Sequence, residues 1–591
     1  MGVRGFIAAT ERAEPGWRQL AAPVAAAALV VASVLTSCGH VAQAPRMKNL
    51  ITGPYAQILA GSIDLGADAN SQVQLTAALR DTTRPQALIG WAQRHGLSVR
   101  WQPAQTWAYI DGAAGNIASA FDVVVHNYRS PEGQLFYASP QQPEIPVPVR
   151  KDVTALDHIF SYSARHSVFR PAIPRDVPCA QNSGSSCVPA LTPEQLRTAY
   201  NAGPLGTTGR GQTVVFVEGF HHDGYTADDL NAFVERFPQL GPFNLLPPIN
   251  GQPGKPGGET EMDLEIVHAI APDAQLVTLD IDDTPGNGDV ESLANAFTTI
   301  DQRFPGAIVS MSLSFGCDHV WTPTSALPLK SVLQAAESRG MTVFQSSGDS
   351  GGYECKAFNS MSCTADGCPE HPQRPQIWWG RPTEADIGVD PVASLWEVTD
   401  VGGTTLSTDR TGAWAAEEAW TDVPLQQGTG GGPSFLYDRP PFQAAVSSPV
   451  DDTHRLTPDV AADADEVSGL YFYTGMQDDH GRAIGWGPGS GTSQSTPIWA
   501  GLTALMNEYL VAHGGQPVGA LNALLYRAAA PGAARPAFHD VRLGGNAVYD
   551  AATGYDLVTG LGTPDTDALV HDILDIQQNG AFGLQQEGRG R

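Results

Sequence analysis

The sequence predicts an α/β protein whose larger part is a doubly wound parallel sheet, preceded by a small α+β unit. Short apolar runs at Thr213 to Val217, Leu276 to Leu279, Ala307 to Met311 and Met341 to Phe344 alternate with helical periodicity at Glu261 to Ile270, Val290 to Arg303 and Pro328 to Arg339. Strands covered on both faces read as continuous apolar runs, and β alternating with α marks a parallel sheet sandwiched by helices. The 591 residues also exceed what one hydrophobic core serves, so more than one folded unit is expected.

In chain order, Arg4, Arg12 and Arg18 precede an apolar run from Ala21 to Leu35 and then Leu35-Thr36-Ser37-Cys38. The run is short for a membrane span and suits the core of a secretory signal, so residues 1–37 are expected to be a signal peptide. Leu-Thr-Ser-Cys resembles the bacterial lipobox. Cys38 is therefore expected to carry a lipid at the head of a linker, 38–70, and the protein to lie outside the cell or in its envelope; an ordinary signal peptide is the alternative. Residues 71–164 form the small unit, with helices at Pro85 to His95 and Gly115 to Phe121. Its strands are Leu97 to Trp101 and Ala108 to Asp111, and Val123 to Tyr128 pairs with Gln134 to Tyr137 as a hairpin. The Pro- and Arg-containing stretch 165–178 reads as an exposed, cleavable linker, 179–576 as the main domain and 577–591 as a disordered tail.

Charge excludes some functions. A net charge of −28 argues against nucleic acid as a partner. It is unevenly spread: residues 46–175 hold 12 Lys and Arg against 9 Asp and Glu, whereas residues 176–591 hold 19 against 51. Setting Cys38 aside, the six cysteines of an exported chain are disulfide candidates. Cys179 and Cys187 close a short Ser/Gly loop, while Cys317, Cys355, Cys363 and Cys368 allow three pairings. A zinc site at Cys363 and Cys368 is disfavoured by their spacing.

The chemistry is concentrated around Gly487-Pro488-Gly489-Ser490-Gly491-Thr492-Ser493-Gln494-Ser495-Thr496-Pro497, which leads into an apolar helical stretch. Glycines permit tight turns, Pro497 suits a first helical turn, and free N–H groups at a helix start favour developing negative charge, so Ser493 is expected at a helix mouth. The plainer reading is a helix cap. Residues just after the strands of an open α/β sheet face its ligand, which singles out Glu218 and Asp349. Glu259 and Asp263, four apart, share one helix face; like charges repel at that spacing, and the plainer reading there is a solvated acidic first turn. A serine hydroxyl becomes a nucleophile when an adjacent base takes its proton, and that base needs a group to orient it.

Taken in order, Glu259…Asp263, Ser-Gly-Asp349-Ser-Gly and Ser-Gly-Thr-Ser493-Gln-Ser-Thr-Pro497 resemble the sedolisin family of serine-carboxyl peptidases. Ala120-Phe121-Asp122 with Gly133 to Ala138 is similar to the family's activation pro-domain. The resemblance implies a subtilisin-like fold with Ser493 as nucleophile, Glu259 as base, Asp263 as its orienter and Asp349 as oxyanion stabiliser, Glu218 and Trp321 extending the network. It also implies one structural Ca2+ held by Asp540, Val541, Ala552, Gly554 and Asp556, and a self-processing precursor inhibited by its own pro-domain. The expected partners are peptide or protein substrates, with no nucleic acid, no membrane contact beyond the lipid and a monomeric state. Two departures are a pro-domain compressed between Ala77 and Pro85 and a longer insertion from Tyr353 to Asp390. Rival readings are a Ser/His/Asp peptidase using His268, and a non-enzymatic surface lipoprotein that binds through a peptidase fold.

Overall fold

The computed structural model describes residues 48–131, 133–163, 166–167, 190–218, 224–251, 254–281, 289–355, 386–422, 427–448, 450–451, 453–477, 481–530 and 532–587. Cys38, Cys179, Cys187, Cys363 and Cys368, the signal peptide and all of the expected cleavable linker 165–178 except residues 166–167 lie outside them.

A seven-stranded sheet forms the centre of the main domain. From one edge it runs Gln275–Asp280, Thr213–Glu218, Ile308–Met311, Thr342–Ser346 and Thr399–Thr408, all parallel; Thr399–Thr408 then pairs in parallel with Val460–Asp463 and antiparallel with Trp414–Ala419. Alternate residues of a strand feed opposite layers. Val214 and Phe216 enter the core shared with helices Glu259–Ile270 and Thr492–Ala512, and Val215 and Val217 enter the core beneath Asp289–Arg303 and Leu327–Glu337. All twelve residues of Glu259–Ile270 are buried, so its four carboxyl side chains sit inside the protein. Hence the acidic turn is not solvated.

The domain is entered through helix Pro193–Ala199, whose Thr192 accepts from Gln195 N while the Gln195 side chain reaches back to Thr192 N. That reciprocal pair satisfies two helix-start donors. Helix Thr492–Ala512 starts earlier than the sequence suggests, which places Pro497 inside it rather than in its first turn.

Residues 48–163 build a core of their own. A four-stranded antiparallel sheet in the order Ser98–Arg100, Trp107–Ala113, Gln72–Leu79, Val153–Leu156 packs against helices Gln86–Arg94 and Ala114–Phe121. Two segments correct the sequence reading of 38–70 as a linker: helix Pro54–Gly61, and strand Ile63–Gly66, which pairs with His126–Arg129. Tyr55 anchors the first by donating to the carbonyls of Ser139 and Ile159. The tail is corrected as well. The last helix, Thr566–Glu587, runs through Gln577, whose side chain pairs with both backbone groups of Gln516 and so holds the helix beyond the expected end at 576.

Cys317 and Cys355 are bonded, with Cα atoms 4.5 Å apart, which gives the partner of two of the four cysteines. The pair brings the start of the 353–390 insertion to the loop after Leu313–Ser314.

Candidate active site

Ser493 is the second residue of its helix and is fully buried; its Oγ makes no hydrogen bond among the described residues. The turn is built by Gly491. Its φ of +85° favours glycine, and a Cβ there would lie 2.6 Å from Asp349 Oδ2. The absent side chain admits the Asp349 carboxyl to the helix mouth, where Oδ1 accepts from Thr492 N and Thr492 Oγ1, both at 2.8 Å. A carboxyl so placed meets the positive end of the helix. Gly430 permits a second close approach, since a Cβ there would lie 1.9 Å from the Ser347 carbonyl oxygen.

The helix Glu259–Ile270 supplies the carboxyls. Glu261 reaches back to accept from Gly257 N at 3.0 Å and Gly258 N at 2.7 Å, fixing the helix start that carries Glu259. Glu259 and Asp263 are each at most 2% exposed. Asp263 accepts from Ser312 Oγ at 2.9 and 3.1 Å. Burial, then the neighbouring Glu259 and Glu218, push the Asp263 carboxyl well above the usual range, and the Ser312 hydroxyl partly offsets them. Glu218, at the end of its strand, is pushed up to about 8 by burial and by Asp280, against a hydrogen bond from Thr260.

Glu218, Glu259 and Asp263 lie together, and Asp263 and Asp349 are each linked to the Ser493 turn, through Ser312 and Thr492; Trp321 and the rival His268 are placed otherwise. Trp321 makes no side-chain hydrogen bond among the described residues; it lines a cavity with Tyr109, Asp157 and Phe315 at the junction with the N-terminal unit. Its expected part in the Glu218 network is not what this placement offers. His268 is buried, stacks on Phe243 with ring centroids 3.9 Å apart and binds the Gly241 carbonyl, and burial lowers it to about 4. It is a packed core histidine.

Sequence reasoning missed four contributors. Ser312 and Thr492 were unremarkable hydroxyl residues. Glu261 followed the capping spacing and could have been read from it. Glu354 is buried beneath the Asp349 loop, accepts from Ser350 N at 3.0 Å, and is held well above the usual carboxyl range by burial.

Asp540 and Asp556 converge on one loop: Asp540 Oδ1 accepts from Gly554 N at 2.9 Å and Asp556 Oδ2 from Ala552 N at 2.8 Å. Oxygen donors alone around such a loop fit a hard cation such as calcium, although Arg542 already pairs with Asp540. A group of Cys317, His319 and Cys355 also has metal-ligand geometry, but its sulfurs are joined to each other and the ligating form is the free thiolate.

This fold and site define a serine-type peptidase of subtilisin-like fold. No protein-family model matches the chain. It is 28% identical over 503 residues to kumamolisin of a Bacillus species, covering 82% of each chain. To sedolisin of a Pseudomonas species it is 25% identical over 505 residues, covering 81% of this chain and 77% of that one. The solved structure of Pseudomonas sedolisin in complex with pseudo-iodotyrostatin superposes with a TM-score of 0.51 at 25% identity, over 66% of this chain and 99% of that one. Over most of its length the chain is thus similar to serine-carboxyl peptidases of the sedolisin family.

A pH dependence of stability follows from the buried carboxyls. Glu218 and Glu261 are raised to about 8, and Asp318 and Asp390 to about 7, in each case chiefly by burial. The unfolded chain ionises these groups near pH 4, before the folded chain does. Stability is therefore full below about pH 4 and falls as pH rises through the folded values. Thermal unfolding is expected to show its highest melting temperature in acid and a progressive loss from about pH 4 to pH 8, whereas a maximum at neutral pH contradicts the assignment.

Proposed function

We propose that the chain is an exported peptidase acting in acid, with Ser493 as nucleophile, Glu259 as general base, Asp263 as its orienter and Asp349 as oxyanion stabiliser. The observation that carries this reading is the buried Ser493 turn, joined on one side to Asp349 through Thr492 and on the other to Asp263 through Ser312. As Ser493 Oγ attacks a peptide carbonyl, its proton passes to Glu259, and the charge developing on the carbonyl oxygen falls at the helix mouth beside Asp349. Glu259 later returns the proton to the leaving amine, and water releases the acyl group by the same path. A carboxylate base works best where the ambient pH is near its own pKa, and Asp349 donates only when protonated. Both requirements point to acid.

The precursor reading has its own support. His166–Ser167 pairs antiparallel with Leu313–Ser314, immediately after Ser312, so these two residues lie along this strand as an added peptide would. Arg100 of the N-terminal unit pairs with Glu291 at 2.8 Å, and Asp157 accepts from Thr322 at 2.9 Å. Acid favours keeping Asp157 buried at this junction, because burial raises it to about 7, although the hydrogen bond from Thr322 itself favours the ionised form. Release would then depend on the wider attraction between a basic front unit and an acidic body, which fades as carboxylates are protonated. Cleavage within 165–178 would free the main domain from a lipid at Cys38.

One experiment tests both parts. Wild-type, Ser493→Ala and Glu259→Gln precursors are held at acidic and neutral pH while peptide hydrolysis and chain mass are followed. The wild type is expected to shorten and gain activity in acid only, Ser493→Ala to do neither, and Glu259→Gln to lose about 10²–10⁴ in rate. Activity or self-shortening in Ser493→Ala overturns the mechanism, and processing at neutral but not acidic pH overturns the activation scheme.

Calcium is proposed for the Asp540, Val541, Ala552, Gly554 and Asp556 loop. The ion's part would be to fix that loop by satisfying two carboxylates at once. Chelation is expected to lower the melting temperature of wild type and to leave an Asp556→Asn variant unchanged, while an unchanged wild type argues against a bound ion.

A further inference from the structure

Ser312 stands at a junction that the proposed catalytic roles do not account for. It is 2% exposed and follows the strand Ile308–Met311. Its Oγ is 2.9 and 3.1 Å from the two carboxyl oxygens of Asp263 and 3.2 Å from the backbone carbonyl oxygen of Ser493. A hydroxyl has one proton to donate, so these acceptors compete for it.

The third acceptor exists because of Pro497. In an α-helix the carbonyl of residue 493 would accept from the N–H of residue 497, and proline has none. The nucleophile's own carbonyl is thus left outside the helical ladder, and Ser312 Oγ is placed to serve it. Thr492, one residue earlier, keeps its carbonyl satisfied by the hydroxyls of Ser495 and Thr496, at 2.9 and 2.8 Å.

We propose that Ser312 is a positioning residue whose single hydroxyl proton is shared between the Asp263 carboxylate and the Ser493 carbonyl, coupling the charge of the carboxyl pair to the placement of the nucleophile's turn. This rests on the mechanism proposed above. When Asp263 is ionised it draws the Ser312 proton. When Asp263 is protonated it no longer needs that donor, and the hydroxyl turns to the Ser493 carbonyl, holding the turn that carries Oγ. The groups acting on Asp263 are Glu259 on its own helix, Glu218 from the neighbouring strand and Ser312 itself. Asp349 stands on the other side of the Ser493 turn.

Two substitutions are expected to move the pH profile in opposite directions. Ser312→Ala removes the donor that favours ionised Asp263, so the acid limb, which reports the first ionisation of the Glu259 and Asp263 pair, moves to higher pH. Pro497→Ala restores an N–H to the Ser493 carbonyl and leaves the Ser312 proton entirely to Asp263, so the same limb moves to lower pH. Ser312→Ala is also expected to lower kcat about 10- to 100-fold with KM within about twofold, and Ser312→Thr, which keeps the hydroxyl, to recover most of the loss.

The test is the pH dependence of kcat and KM on a peptide substrate for acid-activated wild type and the three variants, with Ser493→Ala alongside and melting temperatures for all. Opposite shifts with recovery in Ser312→Thr support the proposal. Shifts in the same direction, unmoved limbs, a loss confined to KM or a loss that Ser312→Thr does not recover overturn it. If Ser312→Ala does not fold, Pro497→Ala and Ser312→Thr decide: an acid limb unmoved in Pro497→Ala overturns the proposal. Activity in Ser493→Ala would instead overturn the mechanism on which it rests, so the two failures are distinguishable.

Discussion

The structure depends on burying carboxyl groups. Helix Glu259–Ile270 carries Glu259, Glu261, Asp263 and Glu265 with every residue buried, and Glu218 ends the strand beside it. Moving a carboxylate out of water without a partner costs several kcal/mol, and proteins usually avoid the cost by leaving the group protonated. Among the described residues, the partners that favour ionisation include two backbone N–H groups for Glu261, one for Glu265, one hydroxyl for Asp263 and the Thr260 side chain for Glu218, and burial outweighs them at each. The fold is consequently most comfortable where these groups hold protons. A serine nucleophile assisted by carboxyls is suited to the same conditions.

The same constraint explains the local architecture. Glu261 caps the helix that presents Glu259, Glu265 ties that helix to the hairpin strand Tyr471–Gln477 through Tyr473 N, and Glu354 braces the loop carrying Asp349. None of these three is placed where a substrate would be attacked. Each uses one oxygen to fix a backbone segment that bears a proposed site residue, so the acidic character of the core supports the geometry of the site as well as its chemistry.

Much of this was legible in the sequence, and the limits were physical. The parallel strands were readable because both faces are covered, which leaves continuous apolar runs such as Thr213 to Val217. Ser493 and Asp349 were readable because glycine marks where backbones and carboxyls crowd together, as at Gly491. Glu259 and Asp263 were readable from a spacing that would be unfavourable on an exposed helix. Ser312 was not, since a serine at a strand end is common and its acceptors come from segments 49 and 181 residues away. Helix Pro54–Gly61 was missed because its anchor, Tyr55, binds carbonyls that follow it by 84 and 104 residues. Trp321 was assigned by likeness to a motif, but its place was decided by packing against the N-terminal unit.

The central claim is that carboxyls, and not a histidine, activate Ser493. The most direct measurement is the rate of phosphonylation by a peptidyl fluorophosphonate across pH, for the acid-activated wild type and a His268→Gln variant, with the adduct mapped by mass spectrometry. The account predicts an adduct on Ser493, formed fastest in acid, and a His268→Gln variant that reacts at a rate close to wild type. An adduct on another residue, a reaction fastest at neutral or alkaline pH, or the loss of labelling in a folded His268→Gln variant would contradict it.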